Sequence, residues 1–168
     1  MMYIFQGIVS GLIATIIFDL FNISLNFAYN INKPKWHFLG RYFLGYTEGR
    51  YVRKSLQEDE EIDNELLWGY AFHYIIGLVY GLLYVLFNLL FFDHPSLLVA
   101  YIFGFFTVLG AWCYLMPFAY NLGFFASKSD QQYKIISQNL IGHFVFGLSL
   151  IHISEPTDQR GSRMPSSA

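Results

Sequence analysis

The sequence predicts an all-α, polytopic membrane protein in which four transmembrane helices follow one another and the first loop is long and amphipathic. Hydrophobic residues make up 55% of the 168-residue chain and charged residues only 13%, whereas an ordinary soluble domain has about 25% charged residues. The apolar residues form four runs, each long enough to cross about 30 Å of hydrocarbon. Most charged residues lie between these runs, as expected when a bilayer excludes ions from the spans.

The first predicted span runs from Ile4 to Asn26, about 23 residues or about 34 Å of helix. No basic region or small-residue cleavage signal accompanies it, so we expect an uncleaved anchor. One carboxylate, Asp19, lies deep inside the run. Small and polar residues recur every three or four positions and share one helix face: Gly7, Gly11, Thr15, Asp19, Asn22 and Asn26.

Gly7 and Gly11 form a GxxxG motif, which removes side-chain bulk and lets another helix approach closely. The motif fits packing within the same chain. The glycine stripes of the protein also suggest a homo-oligomer as a second interpretation, with the lipid bilayer as the other partner.

The predicted first loop, residues 28–65, begins with aromatic and basic residues and ends in an acidic run that reads as a solvated spacer. The aromatic part fits a short amphipathic helix at the headgroup level, with Gly40, Gly45 and Gly49 expected to interrupt it. Two placements are open. The segment 36–54 lies on anionic headgroups, or it folds back and caps the bundle, with Arg41 reaching toward Asp19.

The second predicted span runs from Leu66 to Phe92, and small or polar residues recur at every fourth position: Gly69, His73, Gly77 and Gly81. Asp93, His94 and Pro95 then predict a tight turn between neighbouring helices.

The third predicted span runs from Leu97 to Phe125 and contains Pro117, which lacks a backbone donor and is expected to kink or thin the helix. The fourth span begins near Ile135 and carries His143.

Basic residues predict the orientation of the protein. Six of the ten Lys and Arg residues lie in the first loop and two in the third. The positive-inside rule therefore places both loops in the cytoplasm and both termini outside.

The sequence predicts that the end of the chain does not belong to the natural protein. The stretch LSLIHISEPT, which starts at Leu148, resembles the translation of a transposase mosaic-end sequencing adapter. We therefore predict one membrane domain, residues 1–147, and a non-native tail, residues 148–168, whose first residues prolong the fourth helix.

Five stretches of the chain resemble a bacterial family described as domain of unknown function 2938, which consists of four-helix inner-membrane proteins. They are Gly7 to Asp19, WHFLGRYF at 36–43, GYAFHYIIG at 69–77, Pro117 with Gly123 and the Ala126-Ser127 pair, and NLIGHFVFG at 139–147. The resemblance implies an integral protein of the bacterial inner membrane. It supplies no activity, substrate or cofactor.

A polar cluster is the candidate site. Asp19, His73 and His143 each lie about seven or eight residues, or about 10 Å, from the cytoplasmic end of their spans. An ionised Asp inside the bilayer costs about 2.5 to 3.5 kcal/mol and needs a polar partner, so we expect the three to meet in one layer. Arg41 and Asn121 complete the candidate set.

Three interpretations of this cluster are open. It holds the helices together without chemistry, it serves small-solute, ion or proton-linked transport, or it binds a metal in an intramembrane enzyme. No HExxH or similar motif supports the enzyme, and the sequence indicates no cofactor. The net charge of −2 and the dispersed basic residues argue against a nucleic-acid partner.

Overall fold

The computed structural model describes residues 2–50, 59–92 and 97–154. These residues form five α-helices: α1 Met2–Tyr29, α2 Trp36–Thr47, α3 Glu65–Phe91, α4 Leu97–Gly110 and α5 Gln132–Ser154. A π-helical segment, Ala111–Ala119, continues α4, and a short 3₁₀ turn, Phe124–Ala126, follows it.

Four helical stretches are long and apolar enough to cross a membrane: Tyr3–Tyr29, Glu65–Phe91, Leu98–Ala119 and Gln132–Ile151. Their outer faces carry large apolar side chains such as Leu20 and Ile23, which are 59% and 50% exposed. Exposed apolar faces of this size suit a lipid environment rather than water. The predicted fold class is therefore confirmed.

The helices do not pack in the order of the chain. In the bundle, α1 lies between α3 and α5, and α5 lies between α1 and α4. Helix α2 packs against α3 and touches the π-helical segment. Because successive spans run in opposite directions, loops one and three lie at the same end of the bundle.

Glycines allow a close backbone contact between α1 and α3. A side chain at Gly11 would collide with the Gly77 carbonyl oxygen and the Gly81 backbone, and one at Gly81 would collide with the Gly7 carbonyl oxygen. The GxxxG face of α1 is therefore covered within the chain. A homo-oligomer, which stays a prediction, would need a different face.

Helix α2 corrects the prediction for the first loop. The helix passes through Gly40 and Gly45 without interruption and ends at Thr47, before Gly49 with its positive φ of 72°. Gly40 instead allows the contact with α3, because a side chain there would collide with the Glu65 carbonyl oxygen. Half of the helix is buried, so it folds back on the bundle as the capping alternative proposed.

Pro117 changes the helix type rather than bending a regular α-helix. The segment around it is π-helical, and the Tyr120 N–H donates to the Leu115 carbonyl oxygen at 3.0 Å. Since Pro117 has no N–H, an α-helical turn would leave one carbonyl without a donor, and wider turns accommodate the ring. Asn121 then adopts a left-handed conformation, φ 52°, and the chain turns toward α5.

Some predicted features lie outside the described residues. These are the Asp93–Pro95 turn, residues 51–58 of the first loop and the tail from residue 155 onward. Helix α5 continues past Gly147, with Leu150 and Ile151 buried.

Candidate binding cavity

A cavity of about 480 Å³ opens at the end of the bundle where loops one and three meet. Its walls come from α1, α2, α3, the α4–π segment and α5. The volume lies in the range of small-molecule sites, about 300 to 1,000 Å³.

The cavity reaches deep into the bundle. On α5 its lining runs from Lys134 at the mouth to Phe146, 12 residues further along, which corresponds to about 18 Å of helix. On α1 the lining runs from Asn22 to Thr15 in the same direction. The cavity therefore extends through more than half of a hydrocarbon core of about 30 Å.

The segment before α2 is tied across the mouth. The Gln138 side-chain amide donates to the Asn22 Oδ1 at 3.1 Å and to the Asn32 carbonyl oxygen at 3.0 Å. One side chain of α5 thus joins α1 to the start of the first loop, and it positions residues 32–36 as the rim of the cavity.

Asp19 and His73, two of the predicted site residues, are in direct contact. His73 Nε2 lies 3.1 Å from Asp19 Oδ1, and both side chains are largely buried. The Trp36 ring stacks on the face of the His73 imidazole. The two ring centroids are 3.9 Å apart, and the planes differ by 20°. His73 and Trp36 line the cavity, whereas Asp19 stands behind His73.

His143 has a different partner. Its Nδ1 lies 2.9 Å from the Thr107 hydroxyl, which also donates to the Gly104 carbonyl oxygen at 2.8 Å. A hydroxyl has one proton, so both contacts are satisfied when His143 Nδ1–H donates to Thr107. In the neutral ring Nε2 is then an acceptor.

The Phe18 ring contacts both imidazoles. Its centroid lies 5.8 Å from that of His73 and 5.6 Å from that of His143. His73 and His143 therefore flank one aromatic side chain at the inner part of the cavity, and Asp19 contacts His73 from outside the cavity lining. Whether this group binds anything stays a prediction.

In the capping alternative Arg41 reaches toward Asp19, but the structure pairs it with other groups. Its guanidinium donates to both carboxylate oxygens of Glu65, at 2.6 and 2.7 Å, and to the Asp59 carbonyl oxygen at 2.9 Å. The hydrogen bonds that Arg41 donates to Glu65 raise the pKa of the Arg41 guanidinium. This buried pair fastens α2 to the start of α3, because Glu65 is the first residue of that helix. Arg41 binds this carboxylate rather than that of Asp19, which lies deeper in the bundle.

Asn121 also lies apart from Asp19. Its side-chain oxygen accepts a hydrogen bond from Lys128 Nζ at 3.1 Å, and it does not line the cavity. Its neighbours Tyr120 and Leu122 do line it. The left-handed backbone at Asn121 turns its side chain toward the connection before α5.

Sequence reasoning missed three contributors to the site, Trp36, Phe18 and Thr107. Trp36 was placed either at the headgroups, where aromatic residues are common, or in the cap, and neither alternative included stacking on His73. The stacking on His73 depends on how α2 folds back, and no local pattern encodes that. Thr107 was recognisable only as part of the small face of its span.

The metal interpretation has no support from the geometry. Among the residues that the structure describes, no group of three or more His, Cys, Asp or Glu side chains is close enough to hold a metal ion. The imidazole nitrogens that are hydrogen-bonded face Asp19 and Thr107, which lie on different helices.

The fold and cavity define a multi-pass membrane protein with an internal cavity open at one end. The chain belongs to the family described as Protein of unknown function (DUF2938), whose model matches residues 8–155. This confirms the family resemblance. No curated protein and no solved structure matches the chain. The match continues past Gly147 to residue 155. The non-native origin of residues 148–168 stays a prediction.

Proposed function

We propose that the protein binds a small solute in the cavity and carries it across a bacterial inner membrane in a proton-linked process. Loops one and three, and with them the mouth, face the cytoplasm in this proposal, as the distribution of basic residues predicts. The lipid bilayer surrounds the apolar outer faces of the spans.

The observation that carries the proposal is the depth of the cavity. A bundle that only anchors a protein gains stability from filling its interior, since every void loses packing contacts. Here about 480 Å³ is left open, from the lysines at the rim to the two histidines. An open path into the middle of the membrane is what a solute-binding protein needs.

Asp19 and His73 supply the proton-linked part. Ionisable residues inside a membrane are costly and often mark proton relays, and an imidazole changes charge near neutral pH. The Asp19 carboxylate lies 3.1 Å from His73 Nε2, so a proton can pass between the two groups. A proton on His73 would lie at the cavity wall, where it can respond to a bound solute.

A second function has its own supporting observation. The Asp19–His73 contact joins α1 to α3, and the His143–Thr107 contact joins α5 to α4. Both contacts resemble interhelical hydrogen bonds, which contribute about 0.6 kcal/mol each on average. In this alternative the protein is a structural or interaction protein and the contacts perform no chemistry.

Asp19→Asn separates the two functions. The amide oxygen of Asn can still accept a hydrogen bond from His73, but an amide cannot take up or release a proton as a carboxylate does. Purified protein is reconstituted in liposomes that contain a pH-sensitive dye, and a panel of acids, amino acids, sugars and amines is added outside. Transport predicts proton movement with at least one solute class and its loss in Asp19→Asn.

The matched control is Asp63→Asn, at an exposed carboxylate of the first loop. It should leave both stability and proton movement unchanged. Proton movement that survives in Asp19→Asn would contradict the proposed role of the pair, and a lowered melting temperature as the sole effect would favour the structural alternative.

A further inference from the structure

The charges and the apolar surface of the cavity point to one class of ligand, and we infer that the cavity takes an amphipathic organic anion, a carboxylate attached to an apolar chain or ring. This inference rests on the proposed function, because it names the solute that the cavity binds. It uses the distribution of side chains along the cavity.

Positive charge is concentrated at the mouth. Lys33, Lys35 and Lys134 line the rim, and Asp130 is the one carboxylate among the lining residues. All three lysines are exposed, and within the described part of the chain none forms an ion pair. Their ammonium groups are therefore available to an anion.

One of these lysines is held toward the cavity. Lys35 Nζ lies 5.6 Å from the centroid of the Phe38 ring, and Phe38 also lines the cavity. A cation over an aromatic face is favoured electrostatically. This contact keeps a positive charge near the apolar wall, where the carboxylate of an amphipathic anion would lie.

Beyond the mouth the wall carries no Asp, Glu, Lys or Arg side chain. It is lined mainly by apolar and aromatic residues: Phe18, Ile76, Tyr80, Leu115, Met116 and Phe146. A solute charged along its whole length would lose hydration there without a side chain of opposite charge to replace it. An apolar chain or ring gains from leaving water.

The inner end offers hydrogen bonds, and no Asp, Glu, Lys or Arg side chain lines it. His143 and Thr107 form one pair there, and the hydroxyl of Thr15 donates to the Gly11 carbonyl oxygen at 2.7 Å. The structure thus presents cationic, apolar and weakly polar zones in that order. An anionic head and an apolar body match the first two.

The same chemistry has two sources, a fatty acid from the membrane and a soluble aryl carboxylate from the cytoplasm. Decanoate represents the first and 4-phenylbutyrate the second. Each is compared with its amide and its amine, which keep the apolar body and change the charge of the head. The protein is studied as the full chain in nanodiscs of zwitterionic lipid, because detergent is itself an amphiphile.

Trp36 reports binding directly. The protein has three tryptophans, of which only Trp36 lines the cavity. Trp68→Phe with Trp112→Phe leaves Trp36 as the single indole, stacked on His73. Its fluorescence is titrated with each probe at low and at high salt.

We expect at least one acid to bind about tenfold or more tightly than its amide and its amine, and the preference to shrink at high salt. The combined variant Lys33→Gln, Lys35→Gln and Lys134→Gln should remove that preference and leave the amide unaffected. Lys128→Gln, whose lysine is bonded to Asn121 outside the cavity, is the matched control and should retain it.

Binding of decanoate alone identifies the membrane as the source, and binding of 4-phenylbutyrate alone identifies the cytoplasm. An amide or amine that binds as well as the acid would overturn the inference, as would an acid preference that survives the triple substitution or the absence of binding by both acids. If an amide or amine binds as well as the acid, the cavity still binds a solute and the proposed function stands. The proposed function fails separately, when proton movement survives in Asp19→Asn.

Discussion

The two halves of the helical bundle use the same helices in opposite ways. In the half away from loops one and three, glycines bring α1 and α3 into backbone contact, and Tyr84, Ala100 and Phe103 fill the interior. In the half next to these loops, the helices enclose a cavity of about 480 Å³. We call them the closed half and the open half.

The difference teaches how a four-helix chain can make room for a site. The tight contact at one end supplies packing and fixes the helix positions. At the other end α2, fastened by the Arg41–Glu65 pair, completes the wall that the four spans leave incomplete. Stability should therefore depend mainly on the closed half and on α2, and binding on the open half.

The largest effect is expected when a side chain is forced into the closed half. Gly11→Leu places carbon atoms where the backbone of α3 lies. Backbone cannot move away as a flexible side chain can, so we expect a loss of more than about 3 kcal/mol and little folded protein. Folded yield and melting temperature in nanodiscs measure it. Ala28→Leu, a similar enlargement at an exposed position of α1, should behave like the wild type.

The next effect tests the attachment of α2. Arg41→Ala leaves the largely buried Glu65 carboxylate without its partner, which costs about 3 kcal/mol. The double variant Arg41→Met with Glu65→Leu should recover most of the stability. Arg50→Ala, in an exposed pair with Glu48, should cost about 1 kcal/mol or less. Equal losses for Arg41→Ala and Arg50→Ala would contradict a fastening role.

The open half should tolerate added volume but lose binding. Ala111→Phe introduces a phenyl ring at the cavity wall. We expect a change in stability below about 1.5 kcal/mol, together with a loss of decanoate affinity of about tenfold or more. Cys113→Phe, at an exposed position of the same π-helical segment, is the control. Unchanged binding in Ala111→Phe would place the ligand elsewhere.

The smallest effect concerns the hydrogen bond of His143. Thr107→Val preserves shape and removes the hydroxyl, which should cost about 1 kcal/mol. Thr47→Val is matched, since Thr47 also donates to the carbonyl oxygen three residues earlier but is exposed. Melting temperatures of the two variants should differ. If they coincide, the His143–Thr107 contact adds nothing to the native bundle.

Hydropathy was enough to predict the four spans, because a bilayer imposes both length and composition on them. Their ends were placed within about three residues, as is usual for helix termini, except that the third span ends at Ala119 rather than at the predicted Phe125. The continuity of α2 could not be predicted. Gly40 disfavours a helix locally, and only the contact with Glu65 and Gly69 on α3 explains its presence.

Depth along each span was a good guide to one part of the site. It placed Asp19 and His73 at the same level, and they are in contact. It could not identify the partner of His143, which depends on the order α3, α1, α5, α4 in the bundle, or that of Arg41, which depends on the packing of α2 against α3. That order, and the fold-back of Trp36 over His73, arise from tertiary packing.

Accessibility of single cysteines to a thiol reagent tests the distinction between the halves most directly. In a Cys113→Ser background, which removes the one native cysteine, Ala111→Cys and Ala100→Cys place thiols in the open and closed halves of the same span. An anionic methanethiosulfonate is added to inside-out membrane vesicles. We predict fast modification at position 111 and protection at position 100, where Ala100 is fully buried. Protection at both positions, or equal reaction at both, would contradict a cavity open at one end.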